Sequence, residues 1–288
     1  MSWLLVANPF ASGVDEARLD AVRNALPAGT EVVLTSGRGD ATAIARAREA
    51  DVDAIVVFSG DGTFNEVLNG VEGRVPLGFV PGGGTSVLPR ALGLPRDPVE
   101  AATRLALGRT RRIGLGRANG RRFGFNAGVG LDAELVRSVD RLGRRHDGKR
   151  PGDTAFARAA AGLVLRRRGR FEAALEIEGL GRAAFVLVAN CVPYTYLGRV
   201  GLRVAGTASF DDGLELVAPA RLTPLALPRF GWQAWRGRHG SGVLTVHDAD
   251  RIVIHCDETL PLQMDGEDLG DVETVLFEAE RDAVTVLC

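Results

Sequence analysis

Lysine is almost absent: Lys149 stands alone, and every other cationic residue of the 35 is arginine, a bias of base composition rather than of function. No Gly-Lys-Ser/Thr follows any glycine loop, which excludes a Walker A phosphate site, and no Gly-x-Gly-x-x-Gly fingerprint is present. Cysteine is scarce. Cys191, Cys256 and Cys288 are widely spaced, odd in number and form no Cys-x-x-Cys, which argues against a zinc site or a disulfide frame and for a reducing compartment. The four histidines, His146, His239, His247 and His255, make no ligand pair at usable spacing. Ser12, Ser59 and Ser86 lack a nucleophile-elbow context. No uncharged run approaches the ~20 residues of a membrane span, and the first strand is preceded by no basic leader. Net charge is −1 over 288 residues, so no global attraction to polyanions is expected. No aromatic–basic stripe has an RNA-binding pattern, and nucleic acid is not an expected partner. The expectation is a cytoplasmic protein that meets membrane only from the surface.

Against these absences stand 37 glycines, several of them at the ends of apolar runs. Residues 54–58 (AIVVF) lead into Ser59-Gly60-Asp61-Gly62-Thr63-Phe64-Asn65-Glu66, and an amphipathic segment follows. Strand, glycine turn and helix start together present backbone N–H groups to a phosphate. Gly60 and Gly62 offer positive φ and no Cβ; Asp61 offers a carboxylate to a phosphate-bound metal. The plain alternative is a turn in which Asp61 caps the helix. A second loop, Pro81-Gly82-Gly83-Gly84-Thr85-Ser86, follows the short apolar run 75–80, and a third, Asn8-Pro9-Phe10-Ala11-Ser12-Gly13, follows 3–7. Such loops belong at the carboxyl edge of one parallel sheet, where open α/β sheets bind ligands.

The pattern predicts an α/β N-terminal domain, residues 1–109, with an open, parallel, doubly wound sheet. Its strands fall near 3–7, 31–35, 54–58 and 76–80, and its helices near 14–26, 40–50 and 97–108. The rest, 110–279, reads as a mostly antiparallel β-sandwich domain. It opens with a hairpin, 111–117 with 121–127, around Asn119-Gly120. Helices near 131–142 and 153–168 follow, and then short strands near 172–178, 183–189, 213–217, 251–255, 272–279 and 283–287. The edges of the late strands are places where a homodimer would pair.

Asn8-Pro9 with Ser12-Gly13, Gly60-Asp61-Gly62-Thr63 with Asn65-Glu66, and Pro81-Gly82-Gly83-Gly84-Thr85 together resemble the diacylglycerol kinase catalytic-domain superfamily. That group holds bacterial soluble lipid kinases, sphingosine kinases and, more distantly, NAD kinases. The likeness runs on through residues 126–133 (NAGVGLDA), Phe210-Asp211-Asp212-Gly213-Leu214 and Leu262-Gln263-Met264-Asp265-Gly266-Glu267, nearly the whole chain in order. It implies that ATP lies across the three loops, that Mg2+ assists, that Asp265 takes the proton from a lipid hydroxyl, and that Glu267 orients Asp265 or helps hold metal. It also implies a structural divalent cation at Asp212 and the Leu214 carbonyl, and a last strand, about 280–288, that returns to the first domain. Read alone, Asp265-Gly266 is equally a hairpin dipeptide, and Asp212-Gly213 a turn before a strand.

Phosphoryl transfer needs phosphates held, charge neutralised and an acceptor hydroxyl deprotonated. The leading acceptor is diacylglycerol; a sphingoid base, another glycerolipid or a polyprenol-type alcohol has the same hydroxyl. Two departures from the family pattern bear on activity. Ser86 and Val87 stand where many members carry Asn-Asp, and Gly114 stands where many carry Asp, so an acidic, metal-linked network is incomplete. The competing readings are a non-catalytic lipid- or nucleotide-binding regulator and an NAD kinase; the Asp-Asp-Gly and Asp-Gly-Glu elements favour the lipid kinases over the latter. For the membrane side, residues 137–170 carry eleven cationic side chains (Arg137, Arg141, Arg144, Arg145, Lys149, Arg150, Arg158, Arg166, Arg167, Arg168 and Arg170) against three acidic ones. Residues 224–238 interleave Leu225, Leu227, Phe230, Trp232 and Trp235 with Arg229, Arg236 and Arg238. The first is a solvated helical face or an anchor for an anionic leaflet; the second is a helix burying its aromatics or a membrane interface.

Overall fold

Runs of Val, Ile, Leu and Phe too short for helices form strands buried on both faces when they pair in parallel. That is the origin of the first unit in this computed structural model, which describes residues 2–141, 153–197 and 200–288. The chain divides into two units, Met1–Gly114 with Asp282–Cys288, and Leu115–Arg281.

The first unit comprises β1 (Trp3–Ala7), α1 (Glu16–Ala25), β2 (Glu31–Leu34), α2 (Asp40–Arg48), β3 (Ala54–Ser59), α3 (Asp61–Leu68), β4 (Leu77–Pro81), α4 (Val87–Ala91), α5 (Pro98–Leu105) and the start of β5 (Thr110–Ala118). Strands β2, β1, β3 and β4 lie side by side, all parallel, and the returning end of the chain continues the order with Val286 beside Leu77. Leu4, Leu5, Val6, Ile55, Val56, Val57 and Phe58 are fully enclosed, each apolar side chain contributing about 1.5–3 kcal/mol by leaving water. Phe64 of α3 meets Phe79 of β4 edge to face, ring centres 5.3 Å apart. Helices α1 and α5 pack together, as do α2 and α3. α5 starts at a clear cap, Asp97 accepting the N–H groups of Val99 and Glu100 with Pro98 in the first turn.

The second unit comprises the rest of β5, then β6 (Arg121–Phe123), β7 (Asn126–Val129), α6 (Leu131–Asp140), α7 (Asp153–Arg166), β8 (Leu175–Ile177), β9 (Gly181–Ala183), β10 (Val186–Ala189), β11 (Thr195–Leu197) and β12 (Val200–Leu202). β13 (Leu214–Pro219), α8 (Leu227–Arg236), β14 (Val243–Ala249), β15 (Arg251–Met264) and most of β16 (Glu267–Leu287) complete it. Its pairings are antiparallel: β14–β13–β10–β7–β15–β16 in order, β8–β9 beside β15, and β5–β6 a hairpin. Asn119 and Gly120 both have positive φ, +48° and +84°, as that two-residue hairpin turn requires. The two-residue period of β10 splits its side chains between two cores. Val186 and Val188 join Phe123, Ile254 and Phe277 on one face; Leu187 and Ala189 join Phe171, Phe185 and Leu222 on the other.

Two sequence expectations are corrected here. The runs near 251–255 and 283–287 are not separate short strands but parts of β15 and β16, which are 14 and 21 residues long. Register irregularity between His255 and Leu260 lets β15 pair with β8 before it and with β7 after it. β14 was not expected as a strand at all. Of the cationic cluster, Arg144, Arg145, Lys149 and Arg150 lie outside the described residues, as does His146.

Candidate functional site

The loops after β1, β3 and β4 meet through their glycines. The Gly13 N–H donates to the Gly82 carbonyl at 2.8 Å, and the Gly82 N–H donates to the Ser59 carbonyl at 2.6 Å. A Cβ on Gly13 would fall 2.8 Å from the Gly82 oxygen, and one on Gly83 would fall 2.8 Å from the Gly60 Cα. The expected use of positive φ at Gly60 and Gly62 is therefore corrected. Gly60 has φ −99° and Gly62 lies within α3; the glycines act by letting backbones touch. Polar side chains tie the loops further. The Asn8 Nδ2 donates to the Thr63 Oγ1 at 3.1 Å, the Ser59 hydroxyl reaches the same oxygen at 2.8 Å, and the Phe10 N–H donates to the Asn8 Oδ1 at 2.9 Å. Pro9 and Ser12 sit exposed in the loop after β1; in the loop after β4, Thr85 is half-buried and Gly84 is exposed, and a Cβ on Gly84 would meet nothing.

Two acidic residues of the first loop cluster are already engaged. The Asp61 carboxylate accepts the N–H of Val87 at 3.1 Å and of Leu88 at 3.2 Å, capping α4 rather than its own helix. The Glu66 carboxylate accepts the N–H groups of Gly39 and Ala41 at the start of α2. Asn65 is buried, and its carbonyl accepts from the Asn69 N–H at 3.1 Å. Beside the glycines lies a cleft of about 290 Å³ lined by Gly13, Gly82–Ser86, Asp97–Val99 and three arginines, Arg18, Arg90 and Arg96. Arg18 donates to the Gly13 carbonyl at 3.2 Å and Arg90 to the Thr85 carbonyl at 3.4 Å, so both guanidinium groups border the loops. Sequence reasoning did not single these arginines out. For Arg18 and Arg90 the signal is spacing: each lies four or five residues beyond a loop residue, about one helical turn, whereas Arg96 has no such signal.

In the second unit, Asp265 and Gly266 form the two-residue turn between β15 and β16, with φ +49° and +77°. The turn reading is right, yet the side chain does not face solvent. Asp265 is 3% exposed, and its carboxylate accepts the N–H groups of Gly124 (2.7 Å), Phe125 (2.9 Å) and Asn126 (3.2 Å). Asn126 and Gln263 then link the turn to a buried pair. The Gln263 Oε1 accepts the Gly266 N–H at 2.9 Å. Its Nε2 donates to the Asn126 Oδ1 at 3.1 Å and the Asp132 Oδ2 at 2.6 Å, which also accepts the Tyr194 hydroxyl at 2.8 Å. Burial raises the Asp132 carboxyl above the ordinary range, against the pull of those two donors, and burial beside Asp132 pushes the Tyr194 phenol far up. Gln263, Asn126 and Asp132 sit inside segments that carry the family likeness; nothing in the sequence marks Tyr194. Glu267 begins β16 and pairs with Arg121 at 3.5 Å.

The metal expectations meet a donor set that does not fit a resident ion. Both oxygens of Asp61 face backbone N–H groups, Asp212 is exposed, and Leu214 pairs with Ala249 in the sheet. The nearby Asp248 accepts the Gly213 N–H at 2.7 Å and pairs with Arg281. Among the described residues no group of three His, Cys, Asp or Glu side chains is placed to share a metal.

Comparison with known proteins places this geometry. Residues 2–118 match the family model described as the diacylglycerol kinase catalytic domain. A diacylglycerol kinase of Bacillus subtilis (strain 168) is 30% identical over 250 residues, 83% of this chain and 79% of that one. A crystal structure of a diacylglycerol kinase from Bacillus anthracis str. Sterne superposes with a TM-score of 0.73 at 22% identity, over 99% of this chain and 96% of that one. An NAD kinase from Archaeoglobus fulgidus in complex with ATP shares the fold more distantly, at a TM-score of 0.52 and 14% identity over 100% of this chain and 94% of that one. With three glycine loops gathered at one sheet edge and a relative matched over most of both lengths, this chain belongs to the diacylglycerol kinase catalytic-domain family of lipid kinases.

Proposed function

We propose that this chain transfers the γ-phosphate of MgATP to a lipid hydroxyl, and that the acceptor is diacylglycerol, giving phosphatidic acid. The observation that carries the reading is the arginine-bordered cleft beside the converged loops of β1, β3 and β4. Phosphoryl transfer rests on positioning and charge neutralisation. The closely packed glycines leave backbone as the wall against the phosphates, and Arg18, Arg90 and Arg96 supply positive charge there. Asp265 is assigned as the general base: its carboxylate accepts the proton of the lipid hydroxyl as the new O–P bond forms and ADP leaves. The three N–H groups of residues 124–126 fix the carboxylate's direction, and Gln263 fixes the turn that carries it. The divalent ion enters as part of the nucleotide substrate, and no step is assigned to a resident metal.

The test is transfer of label from γ-labelled ATP with Mg2+ into mixed micelles of diacylglycerol, monoacylglycerol, sphingosine or a polyprenol. Label should enter diacylglycerol and fall by about 10²–10⁴ in Asp265→Asn, the usual contribution of a general base. ATP bound without label in any lipid would select the non-catalytic reading, for which the apolar Val87 beside Asp61 is the supporting observation.

A further inference from the structure

We propose that the outward stripe of α8 docks this protein on the surface of an anionic lipid bilayer. α8 is apolar on two sides. Its inner side, Leu227, Phe230 and Ala234, packs on the core around Phe185, whose ring lies 5.8 Å from that of Phe230. That interior accounts for the helix, and it leaves a second set outside. Leu225 is 92% exposed, Trp232 55% and Trp235 52%, and Pro228 is exposed between them. Positions 228, 232 and 235 follow helical spacing along α8 and form one stripe, and Leu225 stands exposed in the turn just before it. Solitary exposed apolar residues are ordinary, but two tryptophans aligned with a leucine and a proline are a contiguous patch that marks a binding surface.

Charge identifies the partner. From Leu216 to His247 the sequence holds no Asp or Glu and four arginines, Arg221, Arg229, Arg236 and Arg238, in a protein of net charge −1. Among the described residues none of the four forms a salt bridge; Arg236 lies over the Trp232 ring at 4.8 Å. More positive charge borders the start of the helix. Gly169 packs against Pro224 and Leu227, which sets the exposed turn of Arg166, Arg168 and Arg170 beside α8. Tryptophans that reach the boundary between headgroups and acyl chains, ringed by arginines that meet phosphates, are the composition of an interfacial helix. No helix among the described residues is long and apolar enough to cross a membrane, so the contact is one of docking. The inference does not depend on the reaction: a chain that bound lipid without turnover would keep this surface.

Fluorescence quenching on the full chain tests it, with vesicles of phosphatidylglycerol and phosphatidylcholine carrying bromine on the acyl chains. The third tryptophan, Trp3, is 6% exposed in β1 and serves as the internal reference. Anionic vesicles should quench the unaltered protein and leave Trp232→Ala/Trp235→Ala unquenched. Vesicle affinity should fall about tenfold or more in that variant and in Arg229→Glu/Arg236→Glu, and should weaken with salt. Phosphorylation of a water-soluble short-chain diacylglycerol should stay within about twofold in the tryptophan variant, because docking does not touch the reacting atoms. That arm separates failure of this inference from failure of the kinase reading. Absence of quenching, or affinity unchanged in both variants, overturns the proposal. So does a concentration-dependent dimer in sedimentation velocity that the tryptophan variant abolishes, since the stripe would then belong to a second copy.

Discussion

The carboxylate of Asp61 and the backbone N–H of Val87 lie 3.1 Å apart, so the glycine loop after β3 holds the start of the helix that follows the loop after β4. A second carboxylate at position 87 would confront Asp61; the valine that stands there is buried and leaves only its N–H to be met. Asp61→Ala removes an acceptor from two N–H groups and should cost about 1–2 kcal/mol in urea denaturation, with Asp61→Asn recovering part of it. Val87→Asp should cost more, about 2–4 kcal/mol, because it buries an uncompensated charge beside another.

Contact between loops, not backbone freedom, is the property that Gly13 and Gly83 supply. An added methyl at either meets backbone atoms at 2.8 Å, which have no rotamer to yield. Gly13→Ala and Gly83→Ala should each weaken ATP binding by about tenfold or more while leaving the far-UV circular dichroism intact, a displacement of order 1–3 kcal/mol. Gly84→Ala, whose added methyl meets no protein atom within 4 Å, is the matched control for contact between the loops and should leave the urea midpoint unchanged.

Gln263 is the next test of the Asp265 turn. Gln263→Leu keeps the volume and removes the bonds to Gly266, Asn126 and Asp132. Buried polar partners left unpaired cost about 1–3 kcal/mol each. The expected outcome in the micelle assay is a fall in kcat with KM for ATP unchanged, because nothing in the first unit is altered.

Glu280 predicts an acid limit. Burial alone would raise its carboxyl, but hydrogen bonds from Arg122 and Arg117 outweigh it and hold the group at about 2. The folded value is depressed below the ordinary 4.5, so the stabilisation is complete above that ordinary value and is lost as pH falls from there toward 2. It amounts to about 2–3 kcal/mol at neutral pH by linkage. Glu280→Gln should flatten the stability profile across that interval and lower stability at pH 7, read by urea titration at several pH values.

What the sequence made legible was local. β1, β3 and β4 are short apolar runs that lead into glycine-bearing loops, and Asn119-Gly120 and Asp265-Gly266 are turn dipeptides whose conformation needs no partner. What escaped depends on distance along the chain. The donors around Asp265 lie 139 to 141 residues earlier, and Tyr194 enters its network from a segment with no pattern of its own. β14 escaped because an edge strand half open to water, with His247-Asp248 near its end, has little hydrophobic alternation to show. β15 reads as a fragment because Glu258 and Thr259 occupy its irregular stretch, and β16 reads as two because Glu280, Arg281 and Asp282 interrupt its apolar pattern.

β16 also sets an order of events in synthesis. Residues 282–288 are made after every other residue of both units, and they belong to the unit that holds β1. Until they arrive, the edge of β4 that will receive Val286 has no neighbour. The unit that holds β1 is therefore completed only after the whole of the other unit has been made, and a nascent chain stalled between Leu115 and Arg281 holds a nucleotide fold with one open seam.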